Sequence, residues 1–115
     1  GSNQRDWLFV EDNCKGIRIV LKKGKKGEIY NIGGGNRYQN IEVTKKILRI
    51  LGLKNDLIEF VRDRPGHDKR YALNFEKIKS LGFEPSKKFD EKLKTTINWY
   101  KNNPWWWKPL KQGAI

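Results

Sequence analysis

The sequence predicts an α/β fold in which short strands alternate with about four helices, on three observations. Short runs rich in aromatic and β-branched residues (Trp7–Val10, Glu28–Ile32, Leu57–Val61) are separated by longer segments whose apolar residues recur at helical spacing. Gly24, Gly52 and Gly82 stand where those periodic segments stop. The elements follow one another closely, with neither an internal repeat nor a low-complexity stretch between them.

In order along the chain, Trp7-Leu8-Phe9-Val10 reads as a short strand or its end. Val10, Cys14, Ile17 and Leu21 then mark one face of a helix that Gly24 closes. Glu28–Ile32 reads as a strand and runs into Gly33-Gly34-Gly35. Asn40 is a good N-cap for a helix carrying Val43, Ile47, Ile50 and Leu51 on one side, stopped by Gly52. Leu57–Val61 is the next strand, Tyr71-Ala72-Leu73 is extended, and Asn74 caps a short helix ending at Gly82. Phe89, Leu93, Ile97 and Tyr100 define the last helix, which Pro104 ends.

With 115 residues and 37% hydrophobic content, the chain has the material for one folded domain with a modest core. Gly1-Ser2 has the look of a purification-tag scar, and Pro104 to Ile115 form a Trp-rich C-terminal tail. No apolar run reaches the ~18 residues of a membrane span, and no secretory signal is visible. A single cysteine, Cys14, cannot form an internal disulfide, which fits the cytoplasm, and its place on an apolar stripe predicts burial. The formal charge of +12, from 25 Lys and Arg against 13 Asp and Glu, favours an anionic partner. The lysines come as scattered pairs (Lys22-Lys23, Lys25-Lys26, Lys45-Lys46, Lys87-Lys88), a solvated-face pattern that points to a small anion such as a pyrophosphate before nucleic acid.

Three stretches carry candidate chemistry. The glycine run is either a tight turn requiring positive φ or an anion cradle ahead of a helix, although it matches no phosphate-loop or dinucleotide pattern. Asp63-Arg64-Pro65-Gly66-His67 continues into Asp68-Lys69-Arg70-Tyr71 and holds the only histidine of the chain. Arg64 offers a planar fork for phosphate or carboxylate, and Pro65-Gly66 turns the chain just beyond a strand end. The competing reading is a salt-bridged turn in which Asp63 and Asp68 neutralise Arg64 and Arg70. A lone His67 without a second His or Cys makes no metal site. Trp105-Trp106-Trp107 either docks on a partner or folds back over the apolar body, and the second is the expectation.

RDWLFVEDN (5–13), GEIYNIGGGN (27–36), NIEV (40–43), DRPGHDKRYAL (63–73) and TTINWYKNN (95–103) occur in this order, with WW-x-PL at 106–110. Over nearly its whole length the chain thus resembles the C-terminal portion of the dTDP-glucose 4,6-dehydratases, nucleotide-sugar enzymes of the extended short-chain dehydrogenase/reductase group. Asn13 stands where His is common and Gly35 where His or Gly is usual. The resemblance implies a substrate-binding domain over residues 3–103 and a parent enzyme that is a homodimer with tightly held NAD. That parent oxidises C4 of the glucose, loses water across C5 and C6, and returns the hydride to C6 to give dTDP-4-dehydro-6-deoxy-D-glucose.

No Tyr-x-x-x-Lys pair and no glycine fingerprint after a strand occurs in these residues, so the missing N-terminal half is expected to carry NAD and the chemistry. No catalytic residue, NAD site or dehydratase activity is expected of this chain alone. The resemblance assigns Arg5, Asn40, Asp63, Arg64, Pro65, Gly66 and His67 to the dTDP-sugar, with Asp68 and Arg70 bracing the turn. A basic nucleic-acid module and a non-catalytic interaction domain docking through its Trp tail are the alternatives from other classes.

Overall fold

The computed structural model describes residues 1–112 and is an α/β arrangement of five α-helices and a two-stranded sheet. β1 (Gln4–Trp7) pairs antiparallel with β2 (Asn36–Gln39), setting Gln4 opposite Gln39, Arg5 opposite Tyr38 and Trp7 opposite Asn36. On its other edge β1 takes a short parallel partner. Gln4 donates to the Lys69 carbonyl (2.8 Å), Tyr71 donates to the Gln4 carbonyl (3.0 Å), and Gln4 bridges Arg70. Three stretches far apart in sequence are therefore laid side by side around β1.

The helices are α1 (Val10–Lys23), α2 (Asn40–Leu51), α3 (Glu76–Lys79), α4 (Phe89–Asn102) and α5 (Pro104–Gln112), with one 3₁₀ turn at Asn55–Leu57. Val43 and Leu48 of α2, Ile78 of α3, Phe83 of the loop that follows it and Ile97 of α4 are buried, with α2 packed on α4 and α3 on α1. Asp12 of α1 is also buried. It accepts the Ser86 N–H (2.9 Å) and pairs with Lys15, tying α1 to the loop ahead of α4. Among the described residues no helix is long and apolar enough to cross a membrane.

Several expectations are corrected. The first strand is Gln4–Trp7, and Val10 already opens α1. Helix α1 ends at Gly24 as read, but its apolar stripe points outward: Val10, Ile17, Leu21 and Cys14 are exposed, while Asp12 and Gly16 face the body. Among the described residues Glu28–Ile32 and Leu57–Val61 join no strand ladder; Glu28–Ile32 meets its neighbours through side chains, with Asn31 donating to the Asn74 carbonyl and Glu28 pairing with Lys77. Ile29 is 82% exposed. Tyr71–Leu73 contributes only the Tyr71 bond to β1.

Asn40 is the first residue of α2 and does not cap it; Gln39 holds that place, and its N–H donates to the Glu42 carboxylate (2.6 Å). Gly52, at φ 70°, ends α2 in the left-handed conformation that glycine adopts without strain. Phe75, not Asn74, is the N-cap of α3, with the Asn74 side chain accepting the Glu76 N–H just ahead of it (3.0 Å), and the helix stops at Lys79, short of Gly82. Pro104 ends α4 but also opens α5, so the Trp-rich segment is a helix folded back on α4. Trp106 packs edge-on against Trp99 (5.3 Å between ring centres), and the Trp107 indole donates to the Tyr100 carbonyl.

The glycine run is not a cradle at a helix start, since β2 separates it from α2. A Cβ on Gly34 would lie 2.2 Å from the Trp7 carbonyl oxygen, and one on Gly33 would lie 2.6 Å from the Phe75 ring. Gly35 has φ 67°. The glycines serve close packing and a turn.

Candidate functional site

The topology around β1 builds the site. Arg5 stands in β1, and the register of β2 delivers Asn40 to the end of the strand, where the Asn40 N–H donates to the Asn3 carbonyl (3.0 Å). On the opposite edge, the bonds of Lys69 and Tyr71 to Gln4 bring the 63–68 turn beside Arg5. That turn closes with the His67 N–H on the Arg64 carbonyl (3.3 Å), Pro65-Gly66 at its centre and Gly66 at φ 71°. Proline sets the second position and glycine accepts the positive φ of the third, as such a turn requires.

Arg5 is held from several sides. One terminal nitrogen donates to the Gln4 carbonyl (2.8 Å); the other donates to His67 Nε2 (2.7 Å) and to the Asp68 carbonyl (3.1 Å). The guanidinium carbon lies 4.3 Å from the centre of the Tyr71 ring, in cation–π contact. His67 Nδ1 is 2.6 Å from Asp63 Oδ1, which also accepts the Arg64 N–H (3.0 Å). The His67 bond holds the Asp63 carboxyl below the usual carboxylate range. Asp68 accepts the Tyr71 hydroxyl (2.6 Å); that bond, then the carboxylate charge itself, pushes the phenol up, while Arg5 and Arg64 pull it the other way.

Arg5, Asp63, His67 and Asp68 are thus brought together, with Asn40 joined to them through Asn3. The salt-bridged turn does not form: Asp63 goes to His67 and Asp68 to Tyr71, and among the described residues no carboxylate pairs with Arg64 or Arg70. Arg64 is exposed, close enough for its charge to act on Tyr71. The Asn40 amide is not spent on capping, and its Oδ1 is buried without a hydrogen-bond partner. Arg70 braces the turn only through its main chain.

Sequence reasoning missed Asn3 and the ring of Tyr71. Asn3 is buried, and its amide reaches both His67 Nδ1 and the Asp68 carbonyl at 3.3 Å. Its only signal was a polar side chain directly ahead of a strand. Chemically, the guanidinium of Arg5 and the exposed guanidinium of Arg64 are forked donors of the kind that grips phosphate or carboxylate. Among the described residues no group of three His, Cys, Asp or Glu side chains is placed to hold a metal ion.

Arg5 in β1 and the Pro-Gly turn that carries Arg64 stand side by side, and comparison with known proteins assigns the chain to a family. The family model described as GDP-mannose 4,6 dehydratase matches residues 1–96, and the chain belongs to that family. It is 46% identical over 112 residues to the dTDP-glucose 4,6-dehydratase of Streptomyces niveus, covering 96% of this chain and 33% of the relative. The Escherichia coli dTDP-glucose 4,6-dehydratase is 45% identical, with 99% and 35% covered. A structure of dTDP-glucose 4,6-dehydratase from Bacillus anthracis in complex with NAD superposes with a TM-score of 0.87 at 50% identity, over 96% of this chain and 35% of that one. The Streptomyces venezuelae enzyme, solved with NAD and TYD bound, gives 0.88 at 44% identity, over 96% and 34%. The chain therefore spans about a third of the length of these relatives.

The glycine stretch 33–35 is packed against Trp7 and Phe75 and shows no open dinucleotide cradle.

Proposed function

We propose that the chain is the dTDP-sugar-binding part of a dTDP-glucose 4,6-dehydratase, which makes dTDP-4-dehydro-6-deoxy-D-glucose for deoxysugar synthesis. Arg5, Arg64 and Asn40 take the diphosphate, and the turn Asp63–His67 fixes the arginines around it. The observation that supports this most is Arg64, left without a carboxylate in a turn that holds two of them. An exposed guanidinium without a carboxylate partner of its own is available to grip the diphosphate with two parallel bonds.

Oxidation and water loss belong to an NAD-binding part joined to this one in a cytoplasmic homodimer. The outward stripe of α1 and the unpaired Glu28–Ile32 segment supply the face on which that part docks. The chain alone turns over no dTDP-glucose; turnover above a protein-free control contradicts this.

The test of the binding role is a pair of calorimetric titrations, with dTDP and with a DNA duplex, at low and moderate salt. Saturable dTDP binding that survives moderate salt is the expected result. Duplex binding that collapses steeply with salt, with no heat from dTDP, would overturn the reading in favour of a basic nucleic-acid module.

A further inference from the structure

The Arg5–His67–Asp63 chain dictates a proton arrangement. A guanidinium has only donors, so the 2.7 Å contact from Arg5 requires a lone pair on His67 Nε2. The imidazole proton then sits on Nδ1, where Asp63 Oδ1 accepts it at 2.6 Å; the Asn3 amide nitrogen, 3.3 Å from Nδ1, donates to the Asp68 carbonyl instead. The ring side chain is only 18% exposed, so water has little room to substitute for either partner. Asp63 therefore selects the tautomer, His67 offers its lone pair to Arg5, and the Asp68 carbonyl and Tyr71 ring hold the guanidinium from the other sides. Of the five N–H groups of Arg5, those on Nε and the second on Nη1 are left for a ligand.

We infer that His67 is a positioning residue: in its neutral Nδ1–H form it orients Arg5 toward the anionic ligand, and its protonation releases Arg5 and weakens binding. This rests on the sugar-nucleotide reading above. An imidazolium has no lone pair for Arg5, and its charge opposes the guanidinium 2.7 Å away. The charged and titratable groups around the ring are Arg5 on β1, Asp63 and Arg64 in the turn, and Asp68 with Tyr71 beyond it. Asp63 favours the imidazolium, but protonation cannot keep the Arg5 bond. If His67 instead touched the diphosphate directly, acid would strengthen binding, so the two roles predict opposite trends.

His67 is the only histidine, so selective ¹⁵N labelling reports its ring without ambiguity. Dissociation constants for dTDP-glucose, whose diphosphate diester keeps its charge, are measured from pH 8 down to pH 5.5, the range in which histidines titrate. The expected result is the Nδ1–H tautomer at high pH and affinity falling about tenfold in acid, the weight of one charge-assisted hydrogen bond. His67→Gln, whose carbonyl can reach the Nε2 position, should bind within about threefold of the parent at pH 8 and show no acid decline. His67→Ala should lose about tenfold at every pH. An Nε2–H tautomer, or affinity that rises in acid, overturns the positioning role and leaves the sugar-nucleotide reading standing. An Nδ1–H tautomer with no dTDP-glucose binding at any pH overturns that reading and this inference with it. If His67→Gln does not fold, the tautomer and the pH series of the parent chain decide.

Discussion

On α2 and α4 the apolar stripe closes against the rest of the chain, and Val43, Leu48 and Ile97 are buried; on α1, a stripe of the same helical spacing faces outward, with Leu21 82% exposed. Both stripes carry comparable side chains on helices of 12 and 14 residues. What separates them is whether a partner surface lies within the same chain. The same contrast holds for extended segments: β1 and β2 find each other, while Glu28–Ile32 has the composition of a strand and no strand partner among the described residues. Periodicity states that a face will be buried and is silent about what covers it. A chain spanning about a third of its relatives' length is where those two statements come apart.

The comparison can be broken at its packed end first. Phe83 is 1% exposed and Ile78 is fully buried, so Phe83→Ala should lower unfolding free energy by about 3–5 kcal/mol in urea denaturation. A loss under about 1 kcal/mol would mean that the centre is no tighter than the flank. Gly34→Ala comes next: its Cβ would press on the Trp7 carbonyl, and a cost of about 1–3 kcal/mol is expected with the sheet register disturbed.

At the uncovered end, Leu21→Ser should change stability by no more than about 0.5 kcal/mol. It should reduce the binding of an apolar-surface dye and any self-association seen by sedimentation. A large loss of stability there would show that α1 already has its partner in this chain. Smallest of all is an acid effect. Because His67 holds the Asp63 carboxyl low, that pair's contribution is present above the ordinary carboxylate range and is lost as pH falls through the lower folded-state value. Asp63→Asn should therefore flatten the acid limb of a stability–pH curve, the variant being slightly less stable than the parent at neutral pH and equal to it in acid.

Much of the helical framework was legible because helices satisfy their own backbones: α1, α2 and α4 end at the Gly24, Gly52 and Pro104 that signalled them. Strands were less legible because a strand is defined by its neighbour. Asn-Arg-Tyr-Gln of β2 has little strand character and pairs well, whereas Glu-Ile-Tyr-Asn-Ile has the character and no strand partner among the described residues. At the site, Arg5, Asn40 and the 63–67 turn could be singled out by residue type. The bond from Arg5 to His67 and the burial of Asn3 could not, since both depend on which edge of β1 the distant segment 69–71 joins.

The central claim is that the turn at Arg64 grips an anion and is not a salt-bridged connector, and calorimetric binding of dTDP to folded Arg64→Ala and Arg64→Lys tests it most directly. Loss of a charge-assisted pair of roughly 1.5–3 kcal/mol predicts about 10- to 150-fold weaker binding for the alanine variant. Partial recovery is expected with lysine, whose ammonium cannot make two parallel bonds. Melting temperature should be nearly unchanged, because no carboxylate in the turn depends on Arg64. Affinity within twofold of the parent for Arg64→Ala, accompanied by a lowered melting temperature, would contradict the claim and make Arg64 a structural residue.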